Sequence, residues 1–320
     1  MHKKEYCITV HRYIFINNHA YLSVKMTISI GFILLTHRKP QQIHRLIAHL
    51  NKMFNYPRIV CHHDFSKSDL SVDTISKNVS FVRPHLQTQW GDFSIVEATV
   101  QAIKLMYESA NSPDWFILLS GSDYPIKTAK EILGNLTSSK YDAHIHHEQI
   151  IYKVYQQNVK MSLIWQILAY QRYCSYELFS VPLIKNLKIR LEHPLLTKPF
   201  LPFSEELRCF AGGQWFSANQ RAAEYIINFH SQKTALASHY RHRMFADESY
   251  FQTILANAPH LNLKNDDYRY VDWSTQGAHP KIMVMEDLPN LLTSSCHFAR
   301  KFDLDVDSNI LEQLDTITLA

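Results

Sequence analysis

Glycine is scarce in this chain of 320 residues, which contains only 7 of them. So few glycines exclude collagen-like repeats and argue against a glycine-rich phosphate-binding loop. Long apolar runs are also missing, since no stretch reaches the roughly 18 residues needed to cross a bilayer. The 5 cysteines are scattered and form no Cys-x-x-Cys pair, which is typical of a reducing compartment. The chain otherwise has a globular composition, with 46% hydrophobic and 12% aromatic residues.

The charge balance is only mildly basic, with a formal net charge of +4 and 19 histidines. This excess is too weak to predict nucleic-acid binding but is compatible with an anionic ligand. With no spanning segment, we expect a cytoplasmic protein without a nucleic-acid partner, and a peripheral contact with a membrane stays open.

The first 25 residues mix charges and aromatics without a cleavable signal pattern. Met26 leads directly into a predicted strand over 27–35. We therefore expect Met26 to be the natural start, residues 1–25 to form a non-native or disordered extension, and residues 26–320 to form a single domain.

The predicted sheet is organised around the run from Trp115 to Leu119, which is apolar without alternation, as in a strand covered on both faces. The run ends at Gly121 and Asp123, where glycine allows a backbone or ligand to approach closely. In open α/β sheets, ligands bind at the carboxyl ends of the strands. An ordinary exit from strand to turn explains the pattern equally well.

Strands and amphipathic helices alternate up to residue 147, which predicts a nucleotide-binding α/β/α sandwich with a mostly parallel central sheet. Ser94 is the predicted N-cap of the second helix, with Glu97 completing a capping box. The segment 148–205 gives no clear pattern. The predicted strands are 28–35, 58–61, 80–82 and 115–119, and the predicted helices are 41–55, 95–109, 129–136, 220–229, 247–257 and 309–314.

Four separated segments carry a family resemblance: Trp115 to Thr128 (WFILLSGSDYPIKT), Gly212 to Phe216 (GGQWF), Asp247 to Phe251 (DESYF) and Phe298 to Asp303 (FARKFD). In order and spacing they resemble the core-2/I-branching β-1,6-N-acetylglucosaminyltransferases (glycosyltransferase family 14), which are related to the peptide O-xylosyltransferases. The resemblance extends over about residues 26–314. It implies a GT-A type fold, a UDP-sugar donor, inversion at the anomeric carbon and no metal ion.

Inverting transfer needs a base that takes the proton of the acceptor hydroxyl. The resemblance implies that Glu248 is this base. The alternative is that Asp247 and Glu248 only stabilise the first turn of a helix through its dipole.

The resemblance further implies that Lys281 and Lys301 bind the departing diphosphate, although the branching enzymes carry arginine at the position of Lys281. Lysine keeps the charge but loses the two-pronged donor geometry of arginine. No Asp-x-Asp motif follows the central strand, and the acids between Asp303 and Asp307 are better explained as surface residues.

The remaining donor residues are expected near the ends of strands. Asp64 follows His62-His63 and resembles the family aspartate that helps to hold uridine, with a plain turn aspartate as the alternative. The full predicted donor set is Asp64, Gly121, Asp123, Lys281 and Lys301.

The candidate acceptor residues are Trp90, Trp215 and Trp273, because a flat ring packs against the apolar face of a sugar. A core tryptophan is the competing interpretation.

His144 and His146 alternate on a predicted strand, but their spacing is not that of a zinc protease, and neither cysteine nor a further acid completes a ligand set. No metal ligands or cofactors are therefore predicted.

The sequence thus favours a metal-independent inverting glycosyltransferase that moves N-acetylglucosamine or xylose from a UDP-sugar to a glycan, polysaccharide or peptide hydroxyl. Two alternatives stay open: a catalytically silent protein that binds a nucleotide sugar or glycan, and a metal hydrolase built on 144–148.

Overall fold

The computed structural model describes residues 10–14, 22–26, 28–108, 111–152, 161–180, 188–277 and 279–320. The strands in these ranges are β1 (Val10–Ile14), β2 (Leu22–Met26), β3 (Ile30–Thr36), β4 (Arg58–His63), β5 (Val79–Phe81), β6 (Trp115–Ser120), β7 (Asp123–Pro125), β8 (Ala143–Ile145), β9 (Glu148–Gln149), β10 (Tyr176–Ser180), β11 (Lys188–Leu191), β12 (Phe210–Ala211), β13 (Phe216–Asn219), β14 (Leu263–Lys264), β15 (Arg269–Val271) and β16 (Phe298–Arg300). The helices are α1 (Pro40–Phe54), α2 (Ser94–Tyr107), α3 (Ala129–Thr137), α4 (Met161–Tyr173), α5 (Pro194–Thr197), α6 (Gln220–Gln232), α7 (Thr234–Tyr240), α8 (Tyr250–Ala256), α9 (Leu288–Thr293) and α10 (Ser308–Thr318).

A seven-stranded sheet forms the centre of the molecule, in the order β14-β8-β13-β6-β3-β4-β5. Neighbouring strands are parallel except where β13 runs against both β6 and β8. The predicted mostly parallel sheet is therefore confirmed.

Each face of this sheet is covered by helices, because β3 and β6 bury side chains on both sides. On one face Ile33 and Leu118 pack into a core with residues of α2, α6 and α8. On the other face Phe32 and Leu119 pack into a second core with residues of α1, α3 and α10. This is the predicted α/β/α sandwich, and it explains why the apolar runs of β3 and β6 do not alternate.

A smaller sheet of β15, β16 and β7 lies beyond the end of β6. Its register places Arg300 opposite Asp123 and next to Val271. After a turn at Gly121 and Ser122 the chain continues into β7, which the sequence did not predict. This short strand brings together charged residues from three distant segments.

Two helix starts differ from the prediction. Ser94 lies inside α2 and accepts a hydrogen bond from Gln89 N (3.1 Å), while Glu97 pairs with Arg241 (2.6 Å), so the predicted capping box is wrong. The predicted helix over 247–257 is interrupted at Ser249: a 3-10 turn covers Ala246–Glu248, and α8 begins at Tyr250. The predicted ends Thr27 and Ser109 lie outside the described residues.

Within the first 26 residues, β1 and β2 pair antiparallel in a sheet of their own. The expected extension is thus a hairpin in its described part, while residues 1–9 and 15–21 lie outside the description. The described residues contain no helix that is both long and apolar enough to cross a membrane.

Candidate active site

Glu248 ends the 3-10 turn that precedes α8, and two contacts hold this turn in place. Phe245, with a left-handed φ of 57°, donates its backbone N–H to Gly91 O (2.6 Å), and Gly212 N donates to Glu248 O (2.8 Å). Non-glycine residues adopt this conformation rarely, and such residues concentrate at functional sites. The Glu248 side chain remains 42% exposed.

Arg172 of α4 is the cation next to Glu248. Its Nη1 lies 3.3 Å from Glu248 Oε2, and its guanidinium sits 4.5 Å from the ring centre of Phe245. The arginine is therefore held by the same turn that carries the carboxylate.

The environment of Glu248 makes it a weaker acid than a free glutamate. Burial among protein atoms and the adjacent Asp247 carboxylate raise the pKa of Glu248 to about 7, against the lowering effect of Arg172. Burial also raises the pKa of Asp247 to about 6, although Arg300 and Arg172 oppose this. A carboxyl with a pKa near neutrality is suited to accept a proton during a reaction.

A cluster of cations lies on the smaller sheet, and Asp123 is at its base. Asp123 is buried, accepts a hydrogen bond from Ser120 N (2.6 Å) and lies 3.2 Å from Arg269 Nη1. Arg300 covers the ring of Trp215 at 4.3 Å. Burial lowers the pKa of Arg300, while Asp123 partly offsets this effect.

Lys301 adds a further charge beside Arg300. Burial and the neighbouring Arg300 lower the pKa of Lys301, and Lys301 in turn is the main cause of the lowered pKa of His279. No carboxylate of the described residues lies within 4.0 Å of the Lys301 ammonium. A group of neighbouring cations with too few carboxylate partners, such as Arg300 and Lys301, is suited to bind an anion.

Lys281 has a carboxylate partner of its own in the structure. Its backbone neighbours that of Lys301, with a hydrogen bond of 3.3 Å from Lys301 N to Lys281 O. Its ammonium, however, lies 2.5 Å from Asp287 Oδ1, which neutralises it. The predicted role of Lys281 as a diphosphate ligand stays a prediction, and the structure provides a carboxylate that competes for it.

Asp64 and Gly121 serve the local fold in this structure. Asp64 is fully buried and accepts hydrogen bonds from the backbone N–H and hydroxyl of both Ser66 and Thr88 (2.6–3.1 Å). Burial alone would raise the pKa of Asp64, but these hydrogen bonds hold it well below its usual range. A Cβ on Gly121 would lie 3.2 Å from Ile43, so its close approach is to α1. Neither donor assignment is tested by these contacts.

The three tryptophans differ in exposure. Trp215 is only 6% exposed and lies beneath Arg300, whose guanidinium is 4.3 Å from the ring centre, and its predicted contact with an acceptor stays a prediction. Trp90 is 58% exposed and packs edge-on against Phe245 (4.8 Å) and His279 (5.5 Å), which places it beside the Glu248 turn. Trp273 is exposed in the loop before Lys281.

The histidine pair and the late acidic cluster have structural partners. His144 is buried and its Nε2 lies 2.8 Å from Ser139 Oγ, while burial lowers its pKa to about 4. His146 points instead toward Glu148, at 3.7 Å. Lys39 pairs with Asp303 and Asp305, and Asp307 caps α10. Within the described ranges no three His, Cys, Asp or Glu residues are grouped to hold a metal ion.

Sequence reasoning missed Arg172, Arg269 and Arg300. Arg300 lies inside the FARKFD segment, directly before the predicted Lys301, so its inclusion was within reach. Arg172 and Arg269 belong to no recognisable motif and approach the site only through tertiary packing.

The family model described as Core-2/I-Branching enzyme matches residues 30–294, so the chain belongs to this family. It is 23% identical to xylosyltransferase 1 of Homo sapiens over 319 residues, covering 90% of this chain and 30% of that protein. It is 25% identical over 236 residues to the beta-glucuronosyltransferase GlcAT14C of Arabidopsis thaliana, covering 70% of this chain and 56% of the relative. The chain thus spans about a third to a half of the length of these relatives.

Proposed function

We propose that the protein is an inverting glycosyltransferase that transfers a sugar from a UDP-sugar to a hydroxyl group of a glycan, polysaccharide or peptide. The observation that carries this proposal is the pairing of a carboxyl whose pKa is raised to about 7 with a nearby cluster of cations. Membership of a family with xylosyl- and glucuronosyltransferase relatives supports the same reaction class.

In the proposed reaction Glu248 takes the proton from the acceptor hydroxyl as its oxygen attacks the anomeric carbon. The bond from this carbon to the diphosphate oxygen breaks, and the UDP leaves with the electron pair. Lys301 and Arg300 stabilise the negative charge that develops on the diphosphate, a role that preorganised cations fill well in a partly dry site. Arg172, at 3.3 Å, holds the Glu248 carboxylate in position.

The proposed reaction needs no divalent metal ion, because fixed cations occupy the place where charge must be neutralised. Support comes from Asp123, whose two oxygens already face Ser120 and Arg269. The acids Asp303 and Asp305 are likewise engaged by Lys39. The donor sugar is proposed to be xylose, N-acetylglucosamine or, given the plant relatives, glucuronic acid.

The experiment that tests this function is a screen of UDP-sugars for UDP release by the purified protein, with a mixture of glycan and peptide acceptors present and absent. We expect release from at least one of UDP-xylose, UDP-N-acetylglucosamine and UDP-glucuronic acid, and faster release with a suitable acceptor. Binding of UDP-sugars without any release would support the catalytically silent alternative instead.

A further inference from the structure

Three apolar side chains protrude together on one short stretch of the surface. Leu195 and Leu196 of α5 are 80% and 54% exposed, and Phe200, at the end of the following 3-10 turn, is 51% exposed. Single exposed hydrophobic residues are common, but a local group of large ones indicates an interaction surface. We call Leu195, Leu196 and Phe200 the apolar tip.

Ring contacts fix the apolar tip to the rest of the molecule. Phe200 stacks on Tyr176 at 4.4 Å, and His193 packs against Tyr152 at 5.5 Å. Thr197, between the exposed residues, is buried. The two leucines are therefore displayed from an anchored base, so little ordering entropy is lost when they are buried by a partner.

Helix α4 carries exposed apolar side chains as well. Trp165 and Leu168 are both exposed and, at a spacing of three and then four residues, share a helix face with Arg172. Arg172 contacts Glu248. Exposed apolar side chains therefore also lie on the helix that carries the cation next to Glu248.

The surrounding sequence is basic. Residues 176–200 contain Lys185, Lys188, Arg190 and Lys198 against Glu177 and Glu192, a net charge of 4 − 2 = +2. Glu192 accepts a hydrogen bond from Gln171 (3.3 Å). Lys198 lies in the chain between Leu196 and Phe200 of the apolar tip and is exposed. Protruding apolar side chains beside an exposed lysine, in a basic stretch of sequence, are the combination that binds anionic lipid surfaces.

We propose that the apolar tip docks the protein on the surface of an anionic phospholipid bilayer. Leu195, Leu196 and Phe200 enter the boundary between headgroups and acyl chains, and Lys198 meets lipid phosphates. The docking itself is independent of the glycosyl transfer reaction.

The test is co-sedimentation of the full chain with phosphatidylcholine vesicles that contain none or about a third of phosphatidylglycerol. We expect binding to the anionic vesicles only, weakened by high salt because the charge contribution is screened. In the double variant Leu195→Ser/Leu196→Ser, binding to these vesicles should fall by about tenfold or more, since two apolar side chains no longer leave water. Lys198→Glu should weaken it as well.

The matched control is Val306→Ser/Leu319→Ser, which removes two exposed apolar residues elsewhere and should bind vesicles like the parent. Thermal unfolding confirms that all variants are folded. UDP release in solution without vesicles should be unchanged in the tip variants, so a failure of docking and a failure of the proposed reaction are distinguishable. The proposal is overturned if the parent does not bind anionic vesicles, if the tip variant binds as well as the parent, or if the tip instead mediates self-association.

Discussion

Lys301 and Lys281 lie side by side in the backbone but differ in what neutralises their charge. Lys281 is paired with Asp287 at 2.5 Å, whereas Lys301 faces Arg300 and no carboxylate of the described residues within 4.0 Å. We therefore expect a bound diphosphate to gain more from Lys301 than from Lys281, because Lys281 must first leave Asp287.

We predict that Lys301→Met lowers kcat and raises KM for the donor, with a combined loss in kcat/KM of about 10²-fold, the usual scale for removing one group that stabilises transition-state charge. The matched variant Lys281→Met should lose several-fold less. Initial-rate kinetics with donor varied would check both. Equal losses would show that Lys281 leaves Asp287 on donor binding, and no loss in either would remove both from the mechanism.

At the residue scale the sequence could nominate Glu248 and Lys301 as candidates, because both stand in short segments whose order matches a family. It could not identify Arg172 or Arg269. Arg172 lies in the stretch from 148 to 205 where the hydrophobic period is lost, and Arg269 enters the site through the register of β15 with β16. For Trp215 the sequence could not predict the contact with Arg300, because an aromatic side chain in a motif looks the same whether it faces a ligand or packs against an arginine.

At the scale of elements, the helix expected at 247–257 is interrupted at Ser249, and this interruption positions Glu248. Ser249 donates its hydroxyl proton to Phe210 O (2.6 Å), and the 3-10 turn before it sets Glu248 beside Arg172. The sequence predicted a helix here but could not show this break. Likewise the sequence could not predict β7, because this strand has only three residues and pairs with β16 near the other end of the chain, which leaves no local pattern.

The hairpin β1–β2 forms a sheet of its own, and all seven strands of the central sheet come later in the chain. We predict that a variant starting at Met26 keeps the melting temperature and the transfer rate of the full chain. Differential scanning fluorimetry and UDP release would be compared for both. A loss of several degrees would mean that the hairpin packs against the domain and contributes to its stability.

At the scale of the whole molecule, the arrangement of charge replaces a metal site in the proposed mechanism. We predict that excess EDTA leaves the transfer rate nearly unchanged and that added manganese does not raise it. Rates would be measured after prolonged dialysis against chelator. Inactivation by EDTA and recovery with manganese would contradict this prediction and direct attention to Asp123 and the acids between Asp303 and Asp307.

The central claim is that Glu248 acts as the base of glycosyl transfer, and the most direct test is the pH dependence of kcat/KM for the parent and for Glu248→Gln. Because only the ionised carboxylate accepts a proton, the parent should be weakly active below the raised pKa of about 7 and gain activity as pH increases through it. Glu248→Gln should bind UDP like the parent, lose about 10²-fold or more in kcat/KM, and show no rise near that pH. A variant within a few-fold of the parent, with the same pH profile, would contradict the account.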